Sequence, residues 1–198
     1  MSLDTTDSLV RAASAIAMHA FEEERFAGVL RQLDALEREV YDRVTWLSPS
    51  HCLAQVHHVL FSKHEFRGEP SPLPIHVYLP QVLLLQTGVA ESVGLIYKAL
   101  AERFQLRVDG LALPDRFCLR VRTEYGFAHI DPFHGRFLTE EESRTATLDA
   151  RLPGYGIVSH EGWLRRLLAR LQWMLASENR LADMEAMAEL QELLVQAR

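Results

Sequence analysis

The stretch from Thr87 to Asp131, TGVAESVGLIYKALAERFQLRVDGLALPDRFCLRVRTEYGFAHID, decides how the rest of the chain is read. Thr87-Gly88 reads as a short turn. From Glu91 to Phe104, residues Val93, Ile96, Tyr97, Leu100 and Phe104 recur at three- and four-residue steps, which places them on one face of a helix. Arg107–Leu113, Arg116–Arg122 and Phe127–Ile130 then read as strands, parted by turns at Pro114-Asp115 and Glu124-Tyr125-Gly126. Strand alternation sets Arg116, Cys118, Arg120 and Arg122 on one face of the middle strand. It sets Phe127, His129 and Asp131 on one face of the next.

Both flanks are helical. From about Ser8 to Val44, Phe26, Val29, Leu30, Leu33, Leu36, Val40 and Val44 form one apolar stripe. FEEER at 21–25 and Gly28 mark a break, so two helices are expected there, with the Glu run as a solvated face. Ser48-Pro49 is a helix start, a serine cap followed by proline at the first helical position. That helix carries Leu53, Val56, Leu60 and Phe61 and ends near His64. The proline-rich segment 66–76 reads as an irregular loop, and Tyr78–Leu85 as a short helix closed by Gln86-Thr87-Gly88. Beyond the opening stretch come a helix over Glu140–Asp149 and a loop, LPGYG, at 152–156. Ser159 caps a long helix with Trp163, Leu164, Leu167, Leu168, Leu171, Met174 and Leu175 in phase, Asn179 ends it, and a last helix runs through Leu194. Helices, then a small antiparallel sheet, then helices is the α+β pattern. One domain over 1–198 is expected, with N-terminal helices at 1–47, a core at 48–140 and C-terminal helices at 141–198.

The composition narrows the function. A net charge of −6 and a pI near 5.8 argue against nucleic acid, which requires a basic patch. The most apolar run, VYLPQVLLLQTGVA, is interrupted by Pro80, Gln81 and Gln86 and is too short to span a membrane. Two cysteines, Cys52 and Cys118, make no disulfide framework, and no signal-peptide pattern opens the chain, so a cytoplasmic setting is expected.

Four pieces, VLFSKHEFRGE at 59–69, QTGVAESVGLIYKALAERFQL at 86–106, VDGLALPDRFCLRV at 108–121 and HIDPFHGRFLTEEE at 129–142, share an order and spacing with a known family. Together with WLRRLLARLQWML at 163–175 they resemble the transglutaminase-like superfamily, in its bacterial SirB-type branch. The resemblance implies a papain-like core. In such a core a Cys at a helix N-terminus is the nucleophile, a His on a neighbouring strand is the base and an Asp on the next strand orients it. These positions fall on Ser92, Arg116 and Asp131, with Gly88 in the turn before the helix. Two of the three have changed. A serine is a weak nucleophile without a base, and an arginine cannot accept its proton. An Arg116–Asp131 ion pair is expected in place of the His–Asp contact. The branch commonly continues into a tetratricopeptide-like helical region, for which this chain has room for about two helices.

The remaining candidates have plainer readings. Ser92 can be a first-turn hydroxyl, and Cys118 a small apolar strand residue, or a thiol served by His129, with His134 as a further base. His51, His57, His58 and His64 read as polar helix-surface residues, and Trp46, Trp163 and Trp173 as core. No spacing suits a metal, and the glycines of LPGYG do not form a phosphate loop, so neither metal nor cofactor is expected. The expected function is a non-catalytic binding or regulatory protein whose degenerate cleft holds a protein, a peptide or a small ligand. The alternatives are an acyl-transfer or hydrolytic enzyme using Ser92 or Cys118 on a peptide or acyl substrate, and a helical interaction module using an exposed apolar face on Trp163–Leu175.

Overall fold

The computed structural model describes residues 3–21 and 26–196. It opens with α1 (Thr6–Ala17), started by a reciprocal Thr5–Ser8 cap, and α2 (Phe26–Tyr41). Gly28 lies inside α2 and not at a break, and the Glu run at 22–24 lies outside the described residues. Helix α3 (Pro49–His57) begins as expected, with the Ser48 hydroxyl accepting from the His51 amide, and it continues as a π-helical segment, His58–Lys63. The expected loop at 66–76 contains strand β1 (Arg67–Gly68) and a 3-10 turn at Pro74–His76. Helix α4 (Leu79–Leu85) ends on Gln86 in the left-handed conformation (φ 57°). Thr87–Gly88 is strand β2, not a turn, paired in parallel with β1.

Next comes α5 (Ala90–Arg103), the central helix. One apolar face is expected from its sequence. In the fold every residue from Glu91 to Ala101 is buried, because α1, α2, α3, α4, α7 and the sheet surround it. Its polar members are tied to backbone or ion partners: Lys98 donates to the Val108 carbonyl at 2.7 Å and pairs with Glu102, which also accepts from Thr6.

Strands β3 (Val108–Ala112), β4 (Phe117–Thr123) and β5 (Gly126–Asp131) follow as a meander. Two short strands extend it, β6 (Arg136–Phe137) beside β5 and β7 (Gly156–Val158) beside β3. The sheet is antiparallel throughout, in the order β6-β5-β4-β3-β7. Between β6 and β7 runs α6 (Glu140–Asp149), and α7 (His160–Ser177) and α8 (Leu181–Gln196) complete the chain.

The two faces of the sheet differ. One face carries Val108, Phe117, Leu119, Val121 and Ile130 into the main core under α5 and α7. Gly110 gives Trp163 room there: a Cβ on it would lie 2.6 Å from the indole Cζ3. The other face carries Leu111, Leu113 and Cys118 into a small separate cluster with Leu138 and Ala146, under α6. Of the three tryptophans only Trp163 is core; Trp46 and Trp173 are 61% and 68% exposed. The apolar face of α7 is buried, so it is not the open docking face that an interaction module needs. No helix among the described residues is long and apolar enough to cross a membrane.

Candidate functional site

Ser92 is the third residue of α5, where a nucleophile would benefit from the helix dipole. Its side chain is fully buried, and its hydroxyl donates to the Val77 carbonyl at 2.7 Å. The Val89 amide donates to the His76 carbonyl at 2.8 Å. Two hydrogen bonds therefore strap residues 76–77 to the start of α5. The neighbouring Glu91 is also buried, an observation that the helical pattern alone does not give. One of its oxygens lies 3.5 Å from Arg166 Nε and 3.4 Å from Arg170 Nη2 on α7, and its main-chain carbonyl accepts from the Trp163 indole at 2.9 Å. The only signal in the sequence is the i, i+4 spacing of Arg166 and Arg170.

The other two residues expected to complete the triad, Arg116 and Asp131, belong to the far face of the sheet. Alternation holds as read, and the apolar phase of β4 (Phe117, Leu119, Val121) is the one that meets α5. Arg116, Cys118 and Asp131 face away from it, towards α6. The expected Arg116–Asp131 ion pair does not form. Arg116 Nε lies 3.4 Å from its neighbour Asp115, and its Nη1 lies 4.0 Å from Glu142. Glu142 is itself held by Arg136 through two bonds of 2.8 and 2.6 Å. Asp131 is used by its own turn. One oxygen accepts from the Phe133 and His134 amides at 2.9 and 3.1 Å, and the other meets His134 Nδ1 at 2.7 Å. Asp131 therefore orients His134, whose side chain is 61% exposed, and not residue 116.

Cys118 is fully buried, and burial, followed by the nearby Asp131 carboxylate, pushes its thiol up to about 12. It stays protonated at neutral pH, and no hydrogen bond joins it to His129. His129 sits opposite Arg120 on the neighbouring strand, and burial, then Arg120, pushes its imidazole below the ordinary value. One helix histidine also departs from the surface reading. His57 turns inward, stacks on Phe137 at 4.1 Å and meets Phe61 edge-on at 4.9 Å. Burial, then His58, lowers its pKa to about 4. No cluster that could hold a metal ion occurs among the described residues.

The motif segments do meet, but in packing. Gly68 pairs with Gly88 across β1 and β2, and its amide donates to the Phe133 carbonyl at 2.6 Å. A Cβ on Gly68 would fall 2.0 Å from the Phe133 ring, so only glycine lets the Asp-Pro-Phe turn close over this strand pair. A family model described as the transglutaminase-like superfamily matches residues 27–168, most of the chain and all of these segments. The chain belongs to the transglutaminase-like superfamily. Curated relatives include a "UPF0162 protein" from two strains of Xylella fastidiosa, each 33% identical over 95 residues, 46% of this chain and 34% of theirs. Another is the human "F-box only protein 21", 26% identical over 140 residues, 62% of this chain and 21% of that protein. The chain thus spans about a third of the length of the first two relatives and about a fifth of the other. No solved structure matches.

Acyl transfer on a transglutaminase-like scaffold needs an accessible nucleophile, a base within hydrogen-bonding reach of it and a group orienting the base. Of the residues expected at these places, Ser92 donates its hydroxyl to a backbone carbonyl, Arg116 lies beside Asp115, and Asp131 is bonded to the exposed His134.

Proposed function

We propose that this chain is a SirB-type member of its superfamily that serves as a binding or regulatory module and turns over no acyl substrate. The observation that carries this reading is Ser92: a fully buried hydroxyl whose proton points at the Val77 carbonyl. On this reading Ser92, Arg116 and Asp131 are the degenerate remains of a triad in a papain-like α+β core. One cluster of buried side chains runs from Leu9 to Met187, which supports a single domain. The setting proposed is cytoplasmic, supported by two buried, unbridged cysteines, Cys52 and Cys118. The occupant is a protein or peptide partner, or a small ligand.

The test is turnover. The purified protein is given a nitrophenyl ester, and a glutamine-containing peptide with a primary-amine acceptor. The expected result is no rate above background, unchanged in Ser92→Ala and Cys118→Ala. Turnover that Ser92→Ala abolishes, with its circular dichroism intact, overturns the proposal. The hydrolytic alternative has one observation in its favour, the 2.7 Å Asp131–His134 contact, a carboxylate–imidazole pair of the kind that serves general-base chemistry. It requires that His134→Ala abolish a measured rate.

A further inference from the structure

Helix α6 roofs only part of the far face of the sheet. Over Cys118 and Leu113 its Ala146 closes the small cluster, but towards β7 and the free end of β5 the face opens into a cavity of about 900 Å³. Pockets for small molecules run to roughly 300–1,000 Å³. Leu111 and His129 line it, 1% and 6% exposed. Its walls come from three elements: Phe127 of β5, Leu148 of α6 and Ile157 of β7, respectively 53%, 63% and 59% exposed. Three large apolar side chains left open around one hollow are a reason to look for what covers them.

The polar groups of the cavity define the ligand further. Arg120 is committed: it donates to Asp109 at 2.7 Å, and its guanidinium lies 4.5 Å from the centre of the Phe127 ring. Arg144 is paired with Glu140. Arg151 also lines the cavity and forms no ion pair among the described residues. The His129 ring makes no hydrogen bond among the described residues, and its Nδ1 is buried without a partner. Burial and the Arg120 charge keep the ring neutral, so it offers one donor and one acceptor. The cavity therefore combines an unpaired cation, Arg151, a Glu140 carboxylate already paired with Arg144, an apolar wall and a neutral hydrogen-bonding group.

We propose that this cavity binds an apolar carboxylic acid that carries an uncharged hydrogen-bonding group within its body. Arg151 takes the carboxylate, Phe127, Leu148 and Ile157 take the apolar part, and His129 takes the internal polar group. Ser92, Arg116 and Asp131 do not line the cavity, and the proposal stands whether or not they are catalytic.

A matched pair of probes tests this: N-octanoylglycine and its methyl ester, titrated into the full chain by calorimetry, with the histidine ring signals followed by NMR. The acid is expected to bind saturably and to shift the His129 signal, with the ester weaker by about tenfold or more, the range of a hydrogen bond to a charged group. Arg151→Ala, at an exposed position, is expected to reduce the acid to the affinity of the ester and to leave the ester unchanged. His129→Leu is expected to weaken both probes alike. Equal affinity for acid and ester, an Arg151→Ala variant that binds the acid as tightly as the parent, or no saturable binding of the acid at millimolar concentration overturns the proposal. Turnover assays on Ser92 do not bear on any of these outcomes.

Discussion

Replacing Ser92 with alanine separates a structural hydroxyl from a chemical one. In the fold the Oγ donates to the Val77 carbonyl at 2.7 Å in a place that water does not reach. Truncation leaves that carbonyl buried and short of a donor, at a cost of about 1–3 kcal/mol. Alanine is the better helix former, and recovers at most about 0.5 kcal/mol. The void is one oxygen in size, so the cavity contribution is minor. The net expectation is about 1–2 kcal/mol of lost stability. For a domain of this length each kcal/mol moves Tm by about 2–4 °C, so the midpoint should fall by about 2–8 °C. The second strap, from the Val89 amide to the His76 carbonyl at 2.8 Å, stays in place. The transition should therefore remain cooperative with an unchanged denaturant slope. Urea unfolding followed by circular dichroism and intrinsic fluorescence measures both quantities. A loss below about 0.5 kcal/mol would refute the reasoning. It would mean that the hydroxyl spends little of its time on Val77 and is free for other work.

Three further outcomes follow from the same geometry. Gly110→Ala would force a Cβ to within 2.6 Å of the buried Trp163 ring and 2.8 Å of Phe117, and should cost about 2–3 kcal/mol in urea unfolding, as overpacking does. His57 has a folded pKa of about 4 against an ordinary 6.5, so in that window the unfolded chain binds a proton that the folded chain refuses. Stability should therefore fall as pH drops from about 6.5 to 4, by somewhat less than 1.4 kcal/mol per pH unit because the ring is partly exposed. His129 adds to this slope in the same sense, and His57→Phe, which can keep the stack on Phe137, should flatten it in pH-dependent melts. Cys52 and Cys118 are 2% and 0% exposed, so a thiol reagent at neutral pH should modify neither in the folded protein and both in denaturant, as counted by mass spectrometry.

The helices were the legible part of this fold, because their cues are local. The apolar phase of α7, the Ser48-Pro49 start, the Ser159 cap and the left-handed Asn179 all stand where the sequence places them. Helix α6 has the bounds expected, Glu140–Asp149. Strands β1, β2, β6 and β7 are two or three residues long, too short to show a period, and they exist because partners elsewhere in the chain present an edge. His57 could not be placed locally either, since two of the rings around it, Tyr97 and Phe137, come from distant segments and only Phe61 lies in its own helix. At the candidate site alternation correctly grouped Arg116 with Cys118 and His129 with Asp131. It did not decide which face meets α5. The sequence carried that signal in the contrast between Phe117, Leu119, Val121 and the arginines between them, because the more apolar face of a strand turns to the larger core.

That choice of face separates Ser92 from Arg116 and Asp131, so placing a Cys and a His at 92 and 116 should not create an acyl-transfer site. A thiol enzyme of this kind keeps the N-terminus of its helix for a thiolate, which the dipole and the free amides stabilise. Here the first turn of α5 already carries a buried carboxylate, Glu91, with Arg166 and Arg170 as its counter-charges. The adjacent side chain at 92 is sealed from solvent and faces a carbonyl, which repels an anion. A histidine at position 116 would stand on the opposite face of the sheet, beside the Cys118 cluster, while Asp131 remains bonded to His134. The double variant Ser92→Cys with Arg116→His is therefore expected to show no acyl transfer from a peptide glutamine, and its new thiol should remain as slow towards iodoacetamide as Cys118. Rapid alkylation of residue 92 at neutral pH, together with amine incorporation that Asp131→Asn removes, would mean that the start of α5 and the far face of the sheet can come together. Two side chains would then be all that separates this site from a working one. The backbone argues instead that the obstacle is which surface of the sheet the helix covers.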